Sequence, residues 1–600
     1  MSRGGPTDTR RSDDDLSPGE GTRPPVGRAL ASAWSAPLWA HALAALGLLV
    51  ALAFVVHVGV GYTSDEGAGV AQAHLLERGT WLVTNPVPTI DSDGGLIPFP
   101  LADIGQKGMA PYAKHPLFPL LLRAADDVGG ARGMLALSIG GTIGAAVAGA
   151  LIARRLHPTL ARPALWVLAL GSPLLFDSYL LLAHTMGAAA FGLATVAALN
   201  GVLGGSSRRR RLLWLALMAA LVMTAVALRT EAVFAGLGLA AGALVVAWKR
   251  PDQRGPALQT GVVAAAAATL TVVVERAVRL AITGPATAMP GDALTFGTSA
   301  WLPGRAQAVW HDWFDPGVGA ISPALSVTIL ATAVMLAYLA RRAGRDRATA
   351  LVVVLAIAAA GYGLRLATWS PTELFGLVVA FPLLWLGLLL LRRGDLESPS
   401  ALLLVTTLAV FAVGVFATDY AVGGSAQWGG RYFALGLPLA VPLALVALRR
   451  VVRSMPSPSR RPFVAGLVAC CLLTSALSLQ VLHVRRGLVV SLGHAVADAT
   501  AVAGPSGVGD HPDRPLVVVG NRLGGQVLYP DLDRYTWLAG GRAQSVRDAL
   551  ARSAAAGVTR ATVVNPPEDD SLWPGWRQVG RWTSDLADVA VIEVCPVSGC

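Results

Sequence analysis

The chain has little charge. Only 14% of its 600 residues are Asp, Glu, Lys or Arg, whereas 54% are hydrophobic, and the mean hydropathy is +0.56. So little charge excludes a string of water-soluble domains, because only a bilayer solvates this much apolar surface. The sequence therefore predicts an integral membrane protein.

Cysteine is also scarce, with four residues in the whole chain. Cys470 and Cys471 fall inside an apolar segment, and we interpret them as packing residues. Cys595 and Cys600 lie near the C-terminus, where an oxidising compartment would permit a disulfide, but the sequence leaves open whether they form one. No spacing of cysteine and histidine indicates a zinc site.

Lysine is nearly absent, since only Lys107, Lys114 and Lys249 among the 48 basic residues are lysines. A net charge of +11 and a pI near 10.0 would suit a protein that binds nucleic acid. The basic residues, however, form short clusters between apolar segments and do not line an aromatic-studded face. We therefore expect no nucleic-acid partner.

What the chain has instead is thirteen apolar segments of about 20 residues, the length that crosses a bilayer as a helix. They fall near residues 37–57, 131–153, 164–182, 185–204, 212–228, 232–248, 257–280, 323–340, 348–367, 372–391, 401–418, 432–449 and 463–483. The sequence thus predicts an α-helical polytopic membrane protein with a transmembrane domain over residues 37–484.

The connections between these segments are alternately rich in arginine and nearly free of basic residues. The basic ones lie near residues 154–162, 208–211, 249–254, 341–347, 392–393 and 449–461. Because basic loops stay on the cytoplasmic side, this alternation predicts a cytoplasmic N-terminus and an extracytoplasmic C-terminus in the plasma membrane. The tail of residues 1–36 is polar and rich in Pro and Gly, and we expect it to be disordered.

Four parts of the chain should then lie outside the cytoplasm. They are a long first loop of residues 58–130, a loop of residues 281–322, a stretch of residues 419–431 and the tail of residues 485–600. The second loop contains three tryptophans, which we interpret as interfacial anchors rather than as a ligand cage. These are Trp301, Trp310 and Trp313.

The C-terminal tail has the pattern of a small α/β domain. The apolar runs Leu516–Val519, Ala561–Val564 and Val589–Val594 predict strands, and residues Ala543–Ala556 predict a helix. We therefore expect residues 485–600 to form an extracytoplasmic α/β domain.

An acidic pair, Asp65 and Glu66, follows the first apolar segment in the sequence GYTSDEG of residues 61–67. A carboxylate at the apolar boundary should be desolvated and its pKa raised, which suits a general base acting on a hydroxyl. The alternative is a helix N-cap, in which Ser64 or Asp65 caps a helix of residues 66–77. The two interpretations are compatible, because a capped helix would also fix the base in place.

Other polar residues are expected on the same side of the membrane. Lys114 and His115 end the first outer loop, and Lys114 could bind a phosphate or the acidic pair. Glu231 and His184 lie at a similar depth. The alternative for Lys114 is a loop lysine at the interface, and for His184 a satisfied interfacial histidine.

Three arginines stand where the topology disfavours them. Arg229, Arg365 and Arg431 lie near the outer ends of their apolar segments. They could snorkel to the interface, which would require no ligand. Together on one face they would instead suit an anionic lipid headgroup, since a guanidinium fork matches phosphate geometry.

Three motifs, in this order, resemble those of the GT-C glycosyltransferases, in particular family 39-like enzymes and the arabinosyl and mannosyl transferases that use polyprenyl-phosphate sugars. The motifs are SDEG at residues 64–67, YAKHPL at residues 112–117 and QWGGRY at residues 427–432. The resemblance covers residues 37–483 and adds Gln427, Trp428 and Tyr432 to the candidate site. The tail resembles no family.

The resemblance implies an inverting sugar transfer on the extracytoplasmic face. Asp65, with Glu66 beside it, would deprotonate an acceptor hydroxyl on an envelope glycan, a glycolipid or a protein. The residues that would hold the phosphate of a polyprenyl-phosphate sugar donor are Lys114, His115, Arg229, Arg365 and Arg431. Some relatives hold a metal at the acidic motif and others do not, so a divalent metal at Asp65 and Glu66 stays open. No nucleotide site is expected.

Two other functions fit part of the pattern. A transporter or flippase of lipid-linked saccharides would also place arginines near an anionic headgroup, but it would need polar residues deep in the spans and inverted repeats. No repeat stands out, and the spans are apolar at their centres, which favours an enzyme. A ligase or polymerase of lipid-diphosphate glycans would not need the early acidic pair.

Overall fold

A computed structural model describes residues 34–595 of the chain, with gaps. The gaps are residues 57–60, 84, 86, 93–95, 97–102, 113, 204–206, 286–300, 318–343, 368–372, 419–427, 521–523, 529–530, 532, 540–542, 567–574 and 585. Several predictions fall outside the described residues: the N-terminal tail up to residue 33, the span at 323–340, Gln427 and Cys600.

The described chain is mostly helical. In chain order the helices before the C-terminal sheet are α1 (Leu38–Ala53), α2 (Ser64–Glu77), α3 (Leu117–Leu156), α4 (Ala161–Leu170), α5 (Leu174–Asp177), α6 (His184–Leu203), α7 (Arg208–Leu228), α8 (Ala232–Lys249), α9 (Arg254–Thr283), α10 (Trp301–Val309), α11 (Gly344–Ala367), α12 (Leu377–Ala380), α13 (Pro382–Leu389), α14 (Pro399–Thr418), α15 (Leu437–Ser454) and α16 (Ser457–Ala503). A short hairpin, β1 (Asp103–Gly105) and β2 (Gly108–Ala110), lies in the first loop.

Among the described residues, nine helices are long and apolar enough to cross a membrane. The predicted class of α-helical multi-pass membrane protein is therefore confirmed. The number of spans stays a prediction, because one predicted segment lies outside the described part of the chain.

Two predicted spans are not continuous helices. In the segment at 164–182, α4 ends at Leu170, and Pro173 precedes the one-turn helix α5. In the segment at 372–391, Phe381 separates α12 from α13, which begins at Pro382. Proline lacks a backbone N–H and restricts the residue before it, so apolar composition alone does not carry a helix through these positions.

Two other helices extend beyond their predicted spans. Helix α3 begins at Leu117 rather than near residue 131, and it bends where Gly129 and Gly130 leave helical geometry. Helix α16 has 47 residues, a length of ~70 Å, whereas a bilayer core is ~30 Å thick. Its C-terminal part therefore leaves the membrane and reaches the C-terminal sheet.

Small residues bring membrane helices together. Gly238 and Gly242, one turn apart on α8, approach α14 so closely that an added Cβ would lie 2.6 Å and 2.7 Å from the carbonyl oxygens of Thr407 and Leu403. Such contacts stabilise helix pairs in a bilayer, where burial of apolar side chains from lipid gains little.

The C-terminal region contains a five-stranded sheet. Its elements are β3 (Leu516–Val519), α17 (Gly524–Val527), β4 (Thr536–Ala539), α18 (Ala543–Ala555), β5 (Arg560–Val564), β6 (Trp576–Thr583) and β7 (Asp588–Val594). The strand order is β4-β3-β5-β7-β6, with β3, β4 and β5 parallel and β7 antiparallel to both neighbours. The three predicted strands and the predicted helix occur at their expected positions. Cys595 is disulfide-bonded.

Other parts of the chain complete both apolar faces of this sheet. Val87, Ile90 and Leu96 of the first loop share a buried cluster with β3 and α18. On the opposite face, Leu492 and Val496 of α16 share a cluster with β3, β5 and β7. The sheet is thus packed between the first loop and the end of the longest helix.

Candidate active site

The acidic motif forms the first turn of α2. Thr63, not Ser64 or Asp65 as the sequence suggested, is the N-cap, and its hydroxyl accepts from the Glu66 N–H at 3.2 Å. Glu66 Oε2 in return accepts from the Thr63 N–H at 2.8 Å. Thr63 and Glu66 have the three-residue spacing of a capping box, which explains why this helix begins here.

Glu66 is fully occupied by protein donors. Its Oε2 also accepts from the Tyr62 N–H at 2.7 Å, and its Oε1 accepts from the Leu181 N–H at 2.8 Å and lies 3.4 Å from Arg486 Nη2. The residue is 0% exposed. Glu66 therefore ties the start of α2 to the segment after α5 and to α16, a positioning arrangement rather than a reactive one.

Asp65, its neighbour, contacts a different partner. Arg431 Nη2 donates to Asp65 Oδ2 at 3.0 Å, although the two residues are 366 positions apart. Two residues that the motifs assign to the candidate site are thus in contact, and their catalytic roles stay predictions.

The QWGGRY motif explains how Arg431 reaches Asp65. Gly429 and Gly430 have φ of 64° and 61°, a backbone conformation that favours glycine, and their N–H groups donate to the carbonyls of Leu374 and Phe375. Trp428 stacks on Phe176 with ring centroids 5.6 Å apart. The two glycines thus make the turn that directs Arg431 into the site.

Tyr432 lies close to two guanidinium groups. The Cζ atoms of Arg431 and Arg229 are 5.5 Å and 5.8 Å from the centroid of its ring. These distances fit cation–π contacts. Arg229 Nε also donates to Glu231 Oε1 at 2.7 Å, so Glu231 holds Arg229 in place.

The electrostatic environment of Asp65 differs from the expectation. Burial raises the pKa of its carboxyl, but the charges of Lys114, Arg431 and Arg229 outweigh burial, so that the net pKa is lowered. The expected rise is wrong because the three cations come from separate segments, whose convergence no local pattern reveals. Burial also lowers the pKa of the Lys114 ammonium, with Asp65 opposing this and Arg431 and Arg229 adding to it.

His115 is engaged through both ring nitrogens. Its Nδ1 lies 3.0 Å from Glu275 Oε1, and its Nε2 lies 3.3 Å from Thr230 Oγ1. Burial lowers the pKa of the imidazole and Glu275 only partly opposes this, so the ring is neutral at pH 7. A neutral ring then donates from Nδ1 to the carboxylate and accepts from Thr230 at Nε2. His115 thus anchors the first loop to α9.

Two buried residues face the same cations without a hydrogen-bond partner among the described residues. Both carboxyl oxygens of Asp177 and both ring nitrogens of His184 are unpaired there. Asp177 is 1% exposed and His184 is 0% exposed, and the charges of Arg229 and Arg431 act on both. Because buried polar groups are normally paired, these atoms are candidates to bind a ligand or water.

Sequence reasoning missed Asp177 and Glu275, and a signal for both was present. Each is an acidic residue inside a predicted apolar span, at 164–182 and 257–280. Ionisable residues in such segments are costly and mark functional sites.

Arg365 belongs to a second group of residues. Its Nη1 donates to the Pro316 carbonyl at 2.8 Å and its Nη2 to the Glu373 carbonyl at 3.4 Å. Glu373 Oε1 accepts from the Tyr62 hydroxyl at 2.7 Å. Nearby, Trp313 packs edge-on against Phe433 with ring centroids 4.8 Å apart.

A divalent metal shared by Asp65 and Glu66 does not fit this geometry. Both Glu66 oxygens accept from protein donors, and Asp65 Oδ2 accepts from Arg431. Within the described parts of the chain, no group of three or more His, Cys, Asp or Glu residues could hold a metal ion.

The cluster lies at one set of helix ends. His184 begins α6, Arg229 directly follows α7, and Arg431 precedes α15. The arginine clusters lie at the opposite ends, as Arg208 at the start of α7 shows. The site and the basic connections are therefore on opposite sides of the helical bundle.

Solved structures of other proteins have a fold similar to that of this chain. No family model matches the chain, and no curated protein matches its sequence. A crystal structure of ArnT from Cupriavidus metallidurans bound to undecaprenyl phosphate has a TM-score of 0.50 at 14% identity, over 93% of this chain and 99% of that one. The apo structure of that ArnT has a TM-score of 0.49 at 14% identity, over 92% of this chain and 97% of that one.

The Archaeoglobus fulgidus oligosaccharyltransferase, in complex with Zn and sulfate, has a TM-score of 0.46 at 13% identity, over 87% of this chain and 68% of that one. The likeness to undecaprenyl-phosphate-bound ArnT extends over nearly the whole of both chains. The chain therefore shares the fold of that ArnT over most of its length.

Proposed function

We propose that the protein is a GT-C-type glycosyltransferase that moves a monosaccharide from a polyprenyl-phosphate donor to a hydroxyl of an envelope glycan, a glycolipid or a protein. The observation that carries the proposal is the 3.0 Å contact between Asp65 and Arg431, with Lys114 and Arg229 close enough to act on the same carboxyl. A carboxylate in contact with one cation and close to two more suits a reaction that removes a proton and releases a phosphate. The ArnT structure of the same fold holds undecaprenyl phosphate.

The reaction requires a base for the acceptor proton and positive charge for the departing phosphate. The acceptor oxygen attacks C1 of the sugar with inversion, the bond from C1 to the phosphate oxygen breaks, and its electrons stay on the polyprenyl phosphate. Asp65 receives the acceptor proton. Arg431, Lys114 and Arg229 stabilise the phosphate charge, which develops most fully in the transition state.

The lowered pKa of Asp65 fits this scheme, because it is caused by the cations that would bind the phosphate. Without donor, Asp65 neutralises Arg431, so the carboxylate is a weak base. A bound phosphate would compete for the same cations and reduce their effect on Asp65, which would raise its pKa and its basicity. Donor binding would thus prepare the base for the acceptor.

Other residues fall into supporting roles in this proposal. Glu231 orients Arg229, and His115 holds the first loop against α9 instead of binding the phosphate. The unpaired oxygens of Asp177 and nitrogens of His184 would hydrogen-bond substrate hydroxyls. Arg365, bound to backbone carbonyls beside Glu373, would act outside the phosphate site.

The proposed site faces away from the cytoplasm. The basic connections, which positive charge would retain inside, are at the other ends of the helices. The N-terminus would then be cytoplasmic and the C-terminal sheet extracytoplasmic. The donor would reach the site laterally through the membrane.

The test is sugar incorporation from radiolabelled polyprenyl-phosphate sugars by membranes that contain the wild type, Asp65→Asn or Asp498→Asn. Asp498 is an exposed aspartate on α16 and serves as a matched control. We expect Asp65→Asn to lower transfer by about 10²–10⁴-fold, the contribution of a general base, and Asp498→Asn to transfer normally.

Undiminished transfer by a well-expressed Asp65→Asn variant would remove Asp65 as the base. Movement of the lipid-linked sugar across the membrane without any transfer would replace the enzyme by a flippase.

A further inference from the structure

The C-terminal region contacts the helix that carries Asp65. Ser64 and Gly67 are one turn apart and therefore share a face of α2, while Asp65 projects from another face. Against the shared face lies Gly525 of the short helix α17. This contact joins two segments more than 450 positions apart.

The contact requires glycine on both sides. A Cβ added at Gly67 would collide with the carbonyl of Gly525. A Cβ added at Gly525 would lie 2.8 Å from both Cα and Cβ of Ser64 and 2.9 Å from its carbonyl oxygen. Real Cβ atoms do not approach backbone so closely, so the backbone on either side of Asp65 would have to move.

Two polar contacts reinforce this packing. The Gln526 side-chain amide donates to the carbonyl of Tyr62, one residue before the N-cap of α2. At the other end of α2, Arg78 pairs with Asp533. The C-terminal region thus contacts the backbone before and beside the acidic turn, and it meets the far end of α2 through an exposed ion pair.

Helix α16 supports the C-terminal region. Its sheet packs on α16, and Arg486 of that helix reaches Glu66. Glu66 is the residue next to Asp65, so the sheet, α16 and the acidic turn form one connected support. A separate binding module on a flexible tether would not need these contacts.

We propose that α17 is a positioning element of the active site, in which Gly525 and Gln526 set the reach of Asp65 toward the acceptor hydroxyl. The C-terminal sheet then serves as the support that α17 requires. This inference rests on the proposed function, since it assigns the domain to the placement of the catalytic base. The contacts described for Gly525 and Gln526 are with Tyr62, Ser64 and Gly67, and the proposed phosphate ligands Lys114, Arg229 and Arg431 lie on other segments.

The test compares the full-length Gly525→Ala variant with wild type and with Gly493→Ala. Gly493 lies on α16, and a Cβ there would meet nothing within 4 Å. In steady-state transfer from an undecaprenyl-phosphate sugar, Gly525→Ala should lower kcat by about 10–100-fold, because a displacement of about 1 Å can cost 10²-fold. The KM for the donor should stay within about twofold, because the displaced group is the base, which acts on the acceptor hydroxyl and not on the donor in the ground state.

The outcomes separate the two proposals. If the wild type transfers sugar and Gly525→Ala behaves like Gly493→Ala, α17 does not position Asp65 and the proposed function stands. If the wild type transfers no sugar from any donor, the proposed function fails, and the positioning role with it.

A second variant covers the case in which Gly525→Ala fails to fold, as judged by yield and melting temperature. Gln526→Ala removes one hydrogen bond and inserts no atom. We expect it to lower kcat by about 3–10-fold, the effect of one lost hydrogen bond of about 1 kcal/mol, again without a change in KM. A kcat equal to that of the wild type would overturn the positioning role.

Discussion

The two ends of the helical bundle use arginine in opposite ways. Arg208, Arg209 and Arg210 at the start of α7 are exposed, whereas Arg229 at its other end is 8% exposed and Arg431 is 6% exposed. A solvated guanidinium needs no partner, but a buried one is costly unless an acid and hydrogen bonds compensate it. The exposed arginines therefore indicate only the orientation of the helices, whereas the buried arginines belong to the candidate site.

Arg486 adds a third case to this comparison. It is also buried, and it pairs with Glu66, an acid whose oxygens are already filled by backbone donors. Arg431 pairs with Asp65, whose partners are side chains of other segments. The first pair ties α2 to α16, and the second joins the two residues to which the proposed function assigns the proton and the phosphate.

Among these arginines, the largest expected effect is that of Arg431→Gln on sugar transfer. Loss of the guanidinium removes one donor to the departing phosphate, and we expect transfer to fall by about 10²–10³-fold. Arg209→Gln, at the exposed end, should transfer normally. Equal activity of the two variants would show that burial does not distinguish the roles of these arginines. Radiolabelled sugar transfer at matched expression measures both.

The next effect is on the free energy of unfolding, and it distinguishes the Glu66–Arg486 pair from the Asp65–Arg431 pair. Glu66→Gln replaces one acceptor oxygen by an amide that opposes a backbone N–H, and it leaves Arg486 without its charge partner. We expect unfolding to require about 2–4 kcal/mol less free energy, seen as a lower thermal midpoint in detergent. Glu77→Gln, at the exposed end of α2, should unfold like the wild type. An unchanged midpoint for Glu66→Gln would contradict its structural assignment.

A smaller effect concerns pH. Lys114 helps to hold the pKa of Asp65 below its ordinary value of 3.8, so the carboxylate stays ionised to lower pH. In Lys114→Met the pKa of Asp65 should rise, and the acidic limb of kcat/KM should move to higher pH.

The control for this shift is Lys107→Met, in the same loop. Lys107 Nζ donates to the carbonyl of Ala281 at 2.9 Å, and its loss should leave the pH profile unchanged. Identical acidic limbs for all three proteins would mean that Lys114 does not act on the base.

Much of the fold could be predicted from the sequence because the bilayer imposes strict lengths and apolar composition. Windows of about 20 apolar residues located α6, α7, α8 and α14 closely. The same windows failed at Pro173 and Pro382, where backbone geometry and not composition ends a helix.

The candidate site was predictable only in part, for a related reason. Local motifs placed Asp65 and Arg431 on one side of the membrane. Asp177 could have been predicted, because it is an acidic residue inside an apolar segment. The lowered pKa of Asp65 could not, because it depends on cations that converge in three dimensions. The contact with Gly525 has no sequence signal beyond a glycine pair.

The most direct test of the account is an experimental structure of the full-length protein with undecaprenyl phosphate bound. We predict that the phosphate lies within hydrogen-bond distance of Arg431 and Lys114. We also predict that Asp65 no longer accepts a hydrogen bond from Arg431, so that its carboxylate can accept the acceptor proton. A phosphate held by the exposed arginines at the opposite ends of the helices would contradict the account.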